Sequence, residues 1–143
     1  MNNRLLPPLA AAYLVMSLLL AMPSPSPAAD SLDNVHEVFN KLIPNIPGKS
    51  LIAVQVDYAP GEKSPAHNHE KSAFIMAYVV SGAIRSQVEG QGPARVYRAG
   101  ETWFENPGAH HVVSENASET EPATLLAVFV VDTEHEPLTT INH

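Results

Sequence analysis

The stretch Gly61-Glu-Lys-Ser-Pro-Ala-His67-Asn-His69 leads into a strand pattern and places two histidines one residue apart. On extended backbone, residues two apart project to the same face with their Cα atoms about 6 to 7 Å apart, so both imidazoles can chelate one ion. A third histidine follows in Gly100-Glu-Thr-Trp-Phe-Glu-Asn-Pro-Gly108-Ala-His110-His111, where a strand ends at an Asn-Pro-Gly turn and returns. Imidazole is the commonest neutral ligand of transition-metal ions, so the two stretches predict a metal site on β-structure.

The segments around these histidines alternate with period two, which is the pattern of half-buried strands. Extended runs are predicted at residues 51–58, 73–80, 83–89, 94–98, 101–105, 111–115 and 124–131, separated by Gly, Pro, Asn and Ser. The gaps leave no room for crossover helices, so the runs indicate an all-β, single-domain antiparallel barrel or sandwich of jelly-roll type. We place this barrel at residues 51–131 and a polar C-terminal tail, on the surface or fraying, at residues 132–143.

Large side chains within these runs are expected to line the barrel. Phe74, Met76 and Tyr78 occupy alternate positions of one run, and Trp103 lies in another. For each of them, a place in the core is favoured over a role in stacking on a substrate.

Composition narrows the classes of protein that the chain can be. Its 143 residues suit one domain, and 45% apolar with 16% charged residues excludes a wholly disordered chain and a polytopic membrane protein. Eight Lys and Arg against 15 Asp and Glu give a formal charge of −7 without a basic cluster, so nucleic acid is not an expected partner. The absence of cysteine excludes disulfides, thiolate zinc sites and cysteine nucleophiles.

The first 29 residues have the pattern of a secretory signal peptide. Arg4 precedes an apolar run at residues 5–22, and small residues then allow cleavage after Ala28 or Ala29. The alternative is an uncleaved single-pass anchor, although two prolines near the start of the run shorten its helix. Cleavage predicts a periplasmic or secreted protein with no membrane contact after processing.

A lead-in at residues 30–50 connects the signal to the barrel. Within it, Asp33–Leu42 places apolar residues at i, i+3, i+4 and i+7, which predicts a short N-terminal helix ended by Pro44.

The two histidine stretches resemble the two motifs of the cupin superfamily, Gly-x5-His-x-His-x3,4-Glu-x6-Gly and Gly-x5-Pro-x-Gly-x2-His-x3-Asn. The matching positions are Gly61, His67, His69, Gly82, Gly100, Gly108 and His111, with Asn106 in place of the motif's proline. The resemblance covers Leu51 to Val131 and implies a small cupin with one divalent metal ion, Fe, Mn, Ni, Cu or Zn. It implies His67, His69 and His111 as ligands. His110 is the alternative to His111, but the spacing from Gly108 favours His111.

The chain departs from the first motif at its glutamate, which would fall at Ala73, Phe74 or Ile75. Glu105 is the candidate replacement, because cupins generally carry an inward apolar residue at that position. A buried carboxylate is costly unless it is paired or bound to metal, so Glu105 is expected to be a fourth ligand or a general base. The alternative is a bulged strand on which Glu105 faces water. Glu70 directly follows His69 and should point the opposite way.

A metal ion bound by three histidines at the mouth of a barrel keeps coordination positions open, which is typical of catalytic metal sites. We therefore expect a metal-dependent enzyme acting on a small oxygenated, enolic or aromatic metabolite by dioxygenase-type chemistry. The alternatives are a redox-neutral isomerase, lyase or decarboxylase, a non-catalytic binder of small molecules, and a domain with a structural metal. Small cupins often pair through N-terminal strands, so the resemblance also implies a possible homodimer.

Overall fold

This computed structural model describes residues 34–141 of the chain. Within them it contains eleven strands and no α-helix. The signal peptide predicted for residues 1–29 lies outside this part. Within residues 34–141, no helix is long and apolar enough to cross a membrane. The strands are β1 Val35–Leu42, β2 Lys49–Tyr58, β3 Lys63–Ser64, β4 His67–His69, β5 Phe74–Ser81, β6 Ala83–Val88, β7 Arg95–Arg98, β8 Thr102–Glu105, β9 His110–Asn116, β10 Ala123–Asp132 and β11 Thr139–Ile141.

The strands form two antiparallel sheets that enclose the core. The first sheet has the order β1-β2-β10-β5-β8, and the second has the order β11-β4-β9-β6-β7 with β3 beside β9. Inward residues of both sheets pack together in the interior. Val79 of the first sheet and Ile84 of the second, for example, belong to one apolar cluster. This arrangement confirms the predicted all-β jelly-roll class.

The seven predicted extended runs coincide with β2 and β5 to β10 to within two residues at every end. Tight turns at glycine explain why the boundaries were readable. Gly82, between β5 and β6, has a φ of +70°, and a Cβ there would lie 2.5 Å from the carbonyl oxygen of Pro122. Only glycine satisfies both conditions, so this position ends one strand and starts the next.

The predicted helix over Asp33–Leu42 is wrong, because Val35–Leu42 forms strand β1 at the edge of the first sheet. β1 pairs antiparallel with β2, and a bulge between Glu37 and Phe39 shifts its register. All eight residues of β1 are exposed, so a helical apolar stripe would gain no core contact here. The free edge of β2 instead satisfies the backbone hydrogen bonds of this segment. The apolar residues have the spacing of a helix in the sequence, but the segment is a strand whose alternation is interrupted by the bulge.

The polar C-terminal tail lies on the surface, as predicted, but its last described residues are paired and do not fray. Thr139–Ile141 forms β11, which pairs antiparallel with His67–His69 of β4. β4 is only three residues long and needs a partner on its outer edge, which β11 supplies. The last residues described therefore support the strand that carries two of the histidines.

The expectation that Phe74, Met76 and Tyr78 line the barrel is wrong. They are 45%, 39% and 37% exposed, whereas the residues that alternate with them in β5 are buried, namely Ile75, Ala77 and Val79. Both faces of β5 are apolar, so alternation alone does not show which set faces inward. Trp103 does point inward and lies directly opposite the small Ala77, which leaves room for the indole in the core.

Candidate metal centre

Three histidines converge in the interior of the barrel. His67 and His69 occupy alternate positions of β4, and His67 lies opposite His111 of β9 in the antiparallel register. Residues two apart on a strand, and residues directly opposite on paired strands, share a face. All three side chains are buried, and each offers a nitrogen within 4.8 Å of the others.

Backbone carbonyls orient the two histidines of β4. Nδ1 of His67 lies 2.7 Å from the carbonyl oxygen of Pro65, and Nδ1 of His69 lies 3.3 Å from that of Leu138. A carbonyl oxygen only accepts, so each Nδ1 is the donor and Nε2 of each ring is the nitrogen left to face the cluster. Leu138 belongs to the C-terminal segment, and no motif in the sequence pointed to its carbonyl.

Glu105 of β8 enters the cluster from the opposite sheet. It is 2% exposed, its Oε2 lies 3.1 Å from Nε2 of His69, and its Oε1 lies 3.4 Å from Nδ1 of His111. The indole N–H of Trp103 donates to Oε1 at 3.1 Å. β8 pairs with β5 in an unbroken register. The alternative in which Glu105 faces water on a bulged strand is therefore wrong.

The protonation states that follow from these contacts suit metal binding. Burial alone would raise the pKa of Glu105, but the imidazoles of His69 and His111 and the Trp103 indole outweigh it, so the pKa lies below its usual value. Burial lowers the pKa of His111 to about 4 and also lowers the pKa of His67. Near neutral pH, the site therefore presents an ionised carboxylate and neutral imidazoles at His67 and His111.

Two buried atoms of this cluster lack hydrogen bonds. Among residues 34–141, Nε2 of His69 and Oε2 of Glu105 are the buried side-chain atoms with no hydrogen-bond partner. They are 3.1 Å apart but are not aligned for a hydrogen bond with each other. Leaving such groups unpaired costs about 1 to 3 kcal/mol each. A cation held between them would satisfy both, so three imidazoles and a carboxylate fit a divalent transition metal.

Ser86 is a further interior residue that the sequence analysis missed. Its hydroxyl lies 2.8 Å from Nε2 of His111, and the side chain is buried on β6. Ser86 alternates with the buried Ile84 and Val88, so its signal was one polar residue between two apolar residues of the inward face. The hydroxyl fixes the ring of His111 so that Nδ1 faces Glu105.

The remaining candidates lie away from the cluster. His110 points to the other side of β9, with its Nδ1 3.5 Å from the carboxylate of Glu89. Glu70 accepts hydrogen bonds from the backbone and hydroxyl of Ser72, and it thus closes the turn before β5. The structure therefore brings together His67, His69, His111 and Glu105, and it does not bring His110 or Glu70 to them.

A jelly roll with histidines from two antiparallel strands inside it has the architecture of the cupin class. The family model Cupin_2, described as a cupin domain, matches residues 54–129. The chain belongs to this family. A comparison with curated protein sequences finds no match.

Solved structures support the fold. An uncharacterised protein with a double-stranded β-helix domain from Klebsiella pneumoniae is 20% identical over 72% of this chain and 82% of its own, with a TM-score of 0.55. A DMSP lyase from Ruegeria pomeroyi is 23% identical over 64% of this chain and 43% of its own, with a TM-score of 0.54. An oxalate oxidase in complex with the substrate analogue glycolate is 27% identical over 66% and 46%, with a TM-score of 0.51. The chain thus spans less than half the length of the lyase and the oxidase.

Proposed function

We propose that the protein is an exported, metal-dependent enzyme that acts on a small oxygenated, enolic or aromatic metabolite by oxidative, dioxygenase-type chemistry. The observation that carries the proposal is the buried pair of unpaired atoms, Nε2 of His69 and Oε2 of Glu105, inside the histidine cluster. A purely structural core would pair or replace such groups, because their desolvation otherwise opposes folding.

His67, His69 and His111 would hold one divalent ion, and a redox-active ion bound there supplies both a Lewis acid and a route for electrons to oxygen. The ion is one of Fe, Mn, Ni, Cu and Zn. Glu105 either completes the ligand set or accepts a proton from the substrate at Oε2. Trp103 holds the other carboxylate oxygen, Oε1, and so keeps Oε2 directed toward His69.

The walls of the site favour a flat, partly apolar substrate and keep water from the carboxylate. Phe129 contacts the ring of His69 with centroids 5.7 Å apart, and Trp103 contacts His111 with centroids 6.2 Å apart. Ile75, directly opposite Glu105 in the sheet, is 1% exposed. The likeness to an oxalate oxidase that binds glycolate supports a small oxygenated substrate and a redox reaction.

The second candidate is a redox-neutral lyase, isomerase or decarboxylase. The buried Glu105 favours it, because a carboxylate that is ionised near neutral pH beside a Lewis acid can accept a proton without any redox change. The DMSP lyase shows that the same fold hosts lyase chemistry.

Oxygen uptake with product analysis separates these functions. Protein purified without a histidine tag is loaded in turn with Fe(II), Mn(II), Ni(II), Cu(II) and Zn(II), then mixed with enols, catechols and small hydroxy- or oxo-carboxylates. Substrate-dependent oxygen uptake that His111→Ala abolishes supports the oxidative proposal. Product formation without oxygen uptake selects the redox-neutral candidate. Recovery of tightly bound but unchanged ligand with every metal selects the non-catalytic binder and contradicts both enzymatic readings.

A further inference from the structure

A short segment near the end of the described chain holds one of the three histidines. Strand β11 lies at the edge of the second sheet, and its register with β4 places Thr139 opposite His69. The carbonyl oxygen of Leu138, just before β11, lies 3.3 Å from Nδ1 of His69 and accepts a hydrogen bond from the backbone N–H of Glu70 at 3.1 Å. We call residues 138–141 the C-terminal clamp.

The clamp decides which nitrogen of His69 carries the proton. A carbonyl oxygen only accepts, so Nδ1 must be the donor, and a neutral imidazole has a single N–H. Nε2 of His69 is therefore left without a proton, 3.1 Å from Oε2 of Glu105. Two acceptors cannot pair with each other, and both of these atoms are buried without a hydrogen bond. The clamp thus maintains the unpaired atoms that a cation would satisfy.

The other tautomer of His69 would satisfy the same two atoms without a metal. With the proton on Nε2 and the ring free to turn, the imidazole donates to Oε2 of Glu105. The proton moves from one nitrogen of the ring to the other, and the charge of the site does not change. The lone pair that a metal ion needs is then lost from the face that points into the cluster.

The other histidine of β4 is held from a different part of the chain. Nδ1 of His67 lies 2.7 Å from the carbonyl oxygen of Pro65, two residues earlier. This carbonyl is close in sequence to the ring that it holds, so it remains beside His67 when the clamp is released. Of the two rings on β4, His69 is therefore the one whose tautomer depends on the clamp.

The clamp is bound to the barrel by a small number of contacts. Leu138 is half-buried against the apolar cluster that contains Phe129, and Phe129 contacts the ring of His69. Thr139 and Thr140 are exposed, as are residues 133–137 before them. Such edge segments open at a lower free-energy cost than core strands do, so the clamp can be released while the barrel stays folded.

We propose that the C-terminal clamp is a positioning element that controls metal retention. Docked, it holds His69 in the tautomer that binds a metal ion; released, it lets His69 pair with Glu105 and the ion leaves. This inference rests on the metal centre of the proposed function and adds its regulation. Coupling between two binding equilibria is reciprocal, so the ion strengthens docking of the clamp by the factor with which the clamp strengthens binding of the ion.

Two substitutions at one exposed position test the proposal. The backbone N–H of Glu70 donates to Leu138, and the same antiparallel ladder directs the N–H of Thr140 to the carbonyl of Asn68. Thr140→Pro removes this donor and opens β11, whereas Thr140→Val keeps it and is the matched control. A chain that ends after Glu136 lacks the whole clamp and serves as a second variant.

Zinc affinity, measured by competition with a chromophoric chelator, is the first readout. Loss of the group that orients a metal-bound histidine typically costs about 10- to 100-fold in metal affinity. We expect a loss of that size in Thr140→Pro and in the chain that ends after Glu136. Thr140→Val should bind zinc like the wild type. Circular dichroism verifies that each variant keeps its β-structure.

Nitrogen-15 NMR of the imidazoles gives a second readout, which needs no metal. At about pH 8, where free imidazole is neutral, the metal-free wild type should show Nδ1–H at both His67 and His69. In Thr140→Pro, His69 should change to Nε2–H, while His67 keeps Nδ1–H because Pro65 still holds it. A general loosening of the barrel would not change one tautomer and leave the other.

Hydrogen exchange in the wild-type protein measures the reciprocal effect. The amide of Glu70 donates to the Leu138 carbonyl, so its exchange reports release of the clamp. Zinc should slow this exchange by about the same 10- to 100-fold. Equal exchange with and without zinc would contradict the coupling, and this measurement decides the matter even when the variants do not fold.

Unchanged zinc affinity in both Thr140→Pro and the chain that ends after Glu136 would overturn the proposal. So would a His69 tautomer that is the same with and without the clamp. A wild-type protein that binds none of the five candidate ions would instead contradict the proposed function. The tautomer of His69 in the metal-free variants would then still decide whether the clamp positions the ring.

Discussion

Glu105 is the residue on which the proposed chemistry depends most. A carboxylate that is 2% exposed would ordinarily be protonated or paired, but here its contacts with His69, His111 and Trp103 keep its pKa low. The sequence indicated that this position points inward. The contact with His69 could not be read from spacing, because the two residues lie 36 positions apart on strands of different sheets.

Glu105→Gln preserves the volume of the side chain while it removes the charge and the ability to accept a proton. Because general-base catalysis contributes about 10² to 10⁴ in rate, we expect a loss of that order in turnover. Metal analysis of the same variant separates two roles. Reduced metal affinity identifies a ligand, whereas full metal with slow turnover identifies a base. Glu89→Gln, on an exposed side chain, is the control. Unchanged metal affinity together with unchanged turnover would remove Glu105 from the mechanism.

The pKa of His111 predicts how the metal-free protein responds to acid. The unfolded chain takes up a proton on this histidine near pH 6.5, whereas the folded chain resists protonation until about pH 4. The unfolded state thus binds more protons between these values, and the free energy of unfolding should fall as the pH falls from 6.5 to 4. The contribution is on the order of 3 kcal/mol. Urea denaturation of the chelator-treated protein at several pH values measures it. A pH dependence identical in His111→Gln would contradict this assignment.

At the scale of elements, the strands with regular alternation and glycine turns were predictable, and the irregular ones were not. β2 and β5 to β10 carry period-two patterns long enough to recognise. The apolar residues of β1 have helical spacing in the sequence, and a bulge interrupts the strand at the break in alternation. β4 and β11 are three residues each, too short for any pattern. Both faces of β5 are apolar, so its inward set was assigned incorrectly.

Gly82 tests whether the turns define the barrel. Gly82→Ala must place a methyl group near the Pro122 carbonyl at a φ of +70°, and we expect a loss of about 2 to 4 kcal/mol in the free energy of unfolding. Gly90 also has a positive φ, +78°, but a Cβ there would meet nothing within 4 Å. Gly90→Ala should therefore cost only the backbone strain, about 1 to 2 kcal/mol. Equal losses in the two variants, measured by urea denaturation, would show that the close approach at Gly82 is unimportant.

At the scale of the whole molecule, the site joins the two sheets. β4 and β9 of one sheet supply the histidines, and β8 of the other supplies Glu105. The histidines could be predicted, because short-range spacing and a recognisable motif fixed their faces. The supports from Ser86 and the Leu138 carbonyl could not, since they depend on which distant strands become neighbours.

Export is the prediction that concerns the first 29 residues. The order of Arg4, the apolar run at residues 5–22 and the small residues before Asp30 predicts a mature protein that begins at Ala29 or Asp30. Expression of the full chain in a bacterial host, followed by N-terminal sequencing of the periplasmic and medium fractions, measures the cleavage position. Recovery of the intact Met1 chain in the membrane fraction would contradict cleavage and favour the anchor.

The metal content of untagged protein tests the central claim most directly. After loading with each candidate divalent ion and removal of the excess, mass spectrometry should find about one ion per chain for at least one metal. His111→Ala should retain almost none while keeping its β-rich circular dichroism, because the loss of one imidazole opens the ligand set without removing a core strand. His110→Ala, altered at the adjacent outward position, should bind like the wild type. Full metal content in His111→Ala, or a wild-type protein that retains no ion, would contradict the metal centre assigned to His67, His69 and His111.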